Sequence, residues 1–105
     1  MRLEVLGLAR RELARAAIWY DRRKVGLGNR LLEEIGTGLQ AIRAFPNAHP
    51  PIDAIYRRKL INTFPYAIIY RTEGDVIWII AFSHASRRPG YWRRRDTPGS
   101  VGEST

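Results

Sequence analysis

A chain of 105 residues with 45% apolar side chains has room for one hydrophobic core and not for two. No apolar run approaches the ~18 residues of a membrane span, and a chain without cysteine has no disulfide and no thiolate metal site. Eighteen Lys and Arg oppose ten Asp and Glu, a net charge of +8 that points to nucleic acid, anionic surfaces or acidic proteins as partners.

Arg2 to Leu6 alternates as a half-buried strand does, and Gly7 ends it. A first helix is expected from about Ala9 to Lys24, with Leu13, Ala16, Ala17 and Tyr20 on its apolar stripe. Gly26 suits a helix end at positive φ. A second helix follows from about Asn29 to Phe45, with Leu31, Leu32, Ile35, Leu39 and Ile42 on one stripe. Gly38 shares that face and suggests a close approach to the first helix. So short a junction makes the helices an antiparallel hairpin.

Pro46, Pro50 and Pro51 open a loop that contains His49. Three strands are then expected: Ile55 to Ile61, Tyr66 to Thr72, and Val76 to Ser83. Glu73-Gly74-Asp75 is the hairpin turn between the last two. Val76 to Phe82 is apolar on both faces, so this strand is central. A short helical turn is expected around Tyr91 to Arg94. Asp96 to Thr105 is rich in Gly, Ser, Thr and Pro, and reads as a disordered tail after a single domain spanning residues 1–95.

The order βααβββ implies an α+β fold, an antiparallel sheet covered on one face by an α-helical hairpin. Its other face is left partly open. Nine basic residues lie between Arg57 and Arg95, opposed only by Glu73 and Asp75, so the charge gathers on the rim of that sheet.

Four segments in this order resemble the RelE/ParE superfamily of type II toxins: AIWYDRRKVGLGNRLLEEI, YRRKL, FPYAIIY and SHASRRPGYWRRR. The resemblance covers about Leu3 to Arg95. It implies a cytoplasmic toxin neutralised by a cognate antitoxin, without metal or cofactor. RelE-like members cut mRNA on the ribosome, whereas ParE-like members inhibit DNA gyrase by binding. Fold alone does not separate these activities.

Metal-free RNA cleavage needs a base, an acid and cations around one phosphate. Under that reading the resemblance nominates Arg57 and Lys59 as strand cations, Arg87 as the later arginine, and Tyr91 and His84 as acid–base groups. Ala67 departs from the pattern: RelE-like nucleases carry a phosphate-binding arginine there. Arg71 is the nearest substitute. FPY and RRPGYW look more like the ParE branch. The favoured reading is therefore a binding inhibitor, with Arg57, Lys59, Arg71, Arg87, Arg88, Tyr91, Trp92 and Arg93 meeting the target or the antitoxin. Arg58, on the other side of its strand, is expected to pair with Glu33 or Glu34. A non-toxic basic domain that binds nucleic acid or a protein is the third reading. His49 and His84 are the only imidazoles and lie far apart in sequence, so no metal site is expected.

Overall fold

The computed structural model describes residues 1–98, in the order β1 (Arg2–Val5), α1 (Gly7–Arg23), α2 (Leu27–Ala44), β2 (Arg57–Leu60), β3 (Tyr66–Glu73), β4 (Val76–His84) and a 3-10 turn at Arg93–Arg95. The α+β architecture is the expected one. Of the expected tail, residues 99–105 lie outside the described part. Asp96, expected to begin that tail, is instead 7% exposed and tied into the fold.

Helix α1 turns Ala9, Leu13, Ala16 and Tyr20 to the core, and α2 turns Leu31, Ile35 and Ile42 to it. Gly26 joins them at φ 92°, a conformation that costs glycine little. The close approach of the two helices comes at Gly28. Its amide donates to Asp21 Oδ1 across 2.8 Å, and a Cβ there would collide with the Ala17 carbonyl. Gly38 does a different job from the expected one. It faces β3 rather than α1, with Ile68 Cδ1 lying 2.8 Å from where its Cβ would sit.

The four strands run in the order β1-β4-β3-β2. The meander β2-β3-β4 is antiparallel, and β1 joins the free edge of β4 in parallel. The chain path explains this mixed sheet. Helix α2 ends beside the start of β1, where Arg43 Nε donates to the Met1 carbonyl. Strand β2 thus sets out in the direction of β1, and a meander of three strands must finish in it.

The register divides the sheet into two faces. Ile68, Tyr70, Ile77, Ile79 and Phe82 pack under the helices. Ile69, Ile80 and Ala81 point the other way and form a second cluster with Tyr56 and Trp92. An irregularity at Ile69/Tyr70 leaves Ile80 as an extra residue in β4, because Ala81 pairs Ile69 while Ile79 pairs Tyr70. Such a bulge sharpens the twist and puts Ile80 and Ala81 on one face. The second face is thus only partly open, roofed by residues that follow β4.

Candidate binding groove on the second sheet face

Two carboxylates fasten the segment after β4 to the sheet. Glu12, on α1, accepts from Arg95 Nη1 (2.7 Å), from the Phe82 amide (3.2 Å) and from the Tyr91 hydroxyl. Asp96 accepts from Tyr56 OH (2.8 Å), Arg71 Nε (2.7 Å) and Arg71 Nη2 (3.1 Å). Between these anchors Trp92 lies 3% exposed, its ring 4.7 Å from that of Tyr56. The anchors hold Tyr91 and Trp92 in place, so the segment walls the sheet face rather than hanging from it.

A groove of about 610 Å³ remains beside this wall. Leu60, Ala67 and Ile69 line it on the strand side, Arg58 and Arg87 bring the positive charge, and Arg93, paired with Asp53, borders it. Leu60 is 62% exposed, unusual for a leucine on a strand. A second recess of about 350 Å³ lies between Trp19, Tyr20, Phe82 and Tyr91. His84 and Arg87 border both, so the two spaces meet at the end of β4.

The nominated residues fall into separate groups: His84, Arg87 and Tyr91 line the second recess together, whereas Arg57 and Lys59 lie on the other face of the sheet. Arg57 pairs with Tyr70 and Lys59 with Ile68, both on the helix-covered face. There Arg57 Nη1 donates to the His49 carbonyl across 2.7 Å, while His49 Nε2 lies 3.2 Å from the Ala41 carbonyl. Arg58 is the strand cation that reaches the groove. It is exposed and pairs in register with Ile69. The expected pairing of Arg58 with Glu33 or Glu34 does not form; Glu34 accepts from the Thr63 amide instead (2.9 Å).

Arg71 is 2% exposed and committed to Asp96 and to Glu73, 2.6 Å away. Burial opposes its charge, but those hydrogen bonds outweigh burial and raise its pKa. It therefore offers no guanidinium to a ligand. Burial, and then the hydrogen bond to Glu12, push the Tyr91 phenol up to about 12. A phenol so held stays protonated at neutral pH. His84 Nδ1 accepts from the Ser86 amide (2.9 Å), and its ring stands edge-on to Tyr66, 5.0 Å away. Arg87 stacks on Tyr91 at 3.8 Å, and Arg93 bonds Asp53 at 2.9 Å over the edge of the groove. Arg88 is exposed, and Trp92 serves as the wall.

Among the described residues no group of three His, Cys, Asp or Glu is placed to hold a metal ion. Nor is any helix there long and apolar enough to cross a membrane.

No family model and no curated protein matches the chain. Seven chains of solved structures do match it. One belongs to a structure described as a chromosomal ParDE TA system from P. aeruginosa. It superposes with a TM-score of 0.72 at 14% identity, over 82% of this chain and 97% of that one. The chain has the fold of this ParDE protein. At such identity the likeness is one of fold. It extends through nearly the whole ParDE chain.

Three residues that shape the groove carry weight the sequence did not assign. Arg58 was legible as the alternate of Arg57, with only its face reversed. Glu12 had a faint signal, as the only acid in the run Gly7–Tyr20 of α1. Asp96 had none, since its partner lies 25 residues away.

Proposed function

We propose that this protein is the toxin of a type II toxin–antitoxin system, acting in the cytoplasm by binding DNA gyrase and neutralised by a cognate antitoxin. The supporting observation is the fold shared with the ParDE chain over 97% of that chain. The choice of binding over RNA cleavage rests on the groove. Ala67 lies in it where a nuclease of the related kind has its phosphate-binding arginine. Arg57 and Lys59 face the helices, Arg71 is buried against Asp96, and Tyr91 is bonded to Glu12. This separation of the strand cations from Tyr91 favours binding over cleavage of a phosphate held between them. An apolar, arginine-rimmed groove suits a protein segment instead, with apolar side chains for Leu60 and Trp92 and acidic ones for Arg58 and Arg87.

The test is a pair of assays with the purified protein. Supercoiling by gyrase is expected to fall as the protein is titrated, and added antitoxin is expected to restore it. Unaffected supercoiling at saturating protein removes the gyrase reading. Codon-phased cleavage of message on programmed ribosomes would put RNA cleavage in its place.

A further inference from the structure

A second charged surface lies outside the groove. Helix α1 buries the stripe Ala9, Leu13, Ala16 and Tyr20. At 100° per residue, Arg11, Arg15, Ile18 and Arg22 then fall within about 60° of arc on the opposite side. All four are exposed. Among the described residues none of the three arginines forms an ion pair, in contrast to Arg71 and Arg95, whose charges are spent inside the fold. The only acid on the flank nearest the groove, Glu12, is taken up by Arg95 and Tyr91. On the other flank, Asp21 is bonded to the Gly28 amide. The face is therefore a row of free guanidinium groups about 16 Å long on a rigid helix.

We infer that this outer face of α1 is a docking surface for the phosphate backbone of duplex DNA, separate from the groove. Charge complementarity carries the inference. Duplex DNA presents one phosphate charge per about 1.7 Å of axis, so a 16 Å row of arginines meets several phosphates at once. Three guanidinium groups free of local carboxylates release counterions from the duplex without first breaking an ion pair. The aromatic chemistry argues against a single strand. Single-strand binding relies on open ring faces for base stacking. The one aromatic ring beside this row, Trp19, already has Arg23 lying over it at 4.1 Å. Contact is thus with backbone and is independent of base sequence.

The experiment measures binding of the full chain to a fluorescent 20-base-pair duplex by anisotropy across a salt series. Three charge contacts give a slope of log affinity against log salt of about −2.7. The variant R11Q/R15Q/R22Q is expected to bind roughly tenfold or more weakly near 0.1 M salt and to lose most of that slope. A charge-matched variant, R2Q/R30Q/R94Q, removes three arginines from other elements and is expected to bind within about twofold of the parent. Circular dichroism confirms folding of both variants, whose substituted side chains are exposed.

Equal weakening by both triple variants would show that net charge alone acts, and overturns the inference. So does tighter binding of a single strand of equal length, or no duplex binding at low salt. R11Q/R15Q/R22Q keeps Arg58, Leu60 and Arg87 of the groove, so supercoiling assayed with this variant separates the two readings: inhibition that persists in it belongs to the groove, and inhibition that vanishes with it belongs to DNA coating.

Discussion

Arg71, on a central strand, is bound to Asp96, beyond the last helical turn, through Nε and Oδ2 at 2.7 Å, with both side chains almost wholly out of solvent. Removing Asp96 takes away two of the hydrogen bonds of Arg71 and leaves the buried guanidinium with the half-exposed Glu73 alone, so the loss lies toward the lower end of the about 3–5 kcal/mol of a broken buried pair. We therefore expect Asp96→Ala to lower the unfolding free energy by about that amount in urea titration. Truncation after Arg95 is expected to match it. Replacing both partners with apolar residues, Arg71→Met with Asp96→Leu, is expected to recover most of the loss, because no lone charge then remains. A loss below ~1 kcal/mol for Asp96→Ala would mean that the segment after β4 is not anchored in this way.

Two phenols make the fold sensitive to alkali. Tyr56, buried and bonded to Asp96, is pushed up to about 12, and so is Tyr91, half-buried and bonded to Glu12. In the unfolded chain each ionises near about 10. Between these values the native state holds protons that the unfolded state has lost, so stability falls as pH rises. The contribution is fully present below about pH 10 and is lost as pH passes through about 12. Stability measured from pH 9 to 12 is expected to drop less steeply in Tyr56→Phe and Tyr91→Phe. An unchanged slope in both variants would contradict the assignment.

Glycines of α2 separate conformational cost from steric need. Around Gly36 nothing lies within 4 Å of an added Cβ. Gly36→Ala is expected to stabilise the protein by about 0.5–1 kcal/mol, the propensity difference between the residues. Gly28→Ala meets the Ala17 backbone and displaces the bond to Asp21. It is expected to destabilise by about 1–3 kcal/mol despite the same gain in propensity. Thermal melts of the two variants should therefore move in opposite directions.

The elements were legible from local signals: the α2 stripe at 3.6, the short continuous apolar runs of β3 and β4, and the Gly74 turn between them. What the sequence could not assign was the face. Period two separates Arg57 and Lys59 from Arg58 and Leu60, but both sets sit on a strand with apolar partners on each side. The deciding contacts are Tyr70 and Ile68 beneath the helices and Ile69 beside Trp92, all distant in sequence. Charge misled for a similar reason. Arg57–Arg95 holds the densest basic run, yet Arg71, Arg93 and Arg95 spend their charge on Asp96, Asp53 and Glu12. Asp96 looked like tail because a lone acid among Gly, Ser, Thr and Pro has no periodic neighbour to reveal its burial.

The reversed face has a consequence for activity, because β2 now tests the groove with adjacent residues. Arg58 and Leu60 border the groove, while Lys59 packs beneath α2 near Gly38. If a protein segment fills the groove, Arg58 contributes charge complementarity and Leu60 apolar contact, and Lys59 contributes neither. Removing a central contact of this kind costs about 2 kcal/mol, roughly thirtyfold in affinity. We expect Arg58→Glu and Leu60→Asp to abolish growth arrest on induction and to weaken antitoxin binding by about that factor in calorimetry. Lys59→Ala is expected to leave both within about twofold. Arg58→Glu should also flatten the salt dependence of antitoxin binding, whereas Leu60→Asp should not, since only the former removes a cation from the interface. Growth arrest lost in Lys59→Ala and kept in Arg58→Glu would place the working surface on the helix side of β2 and move the binding site away from the groove.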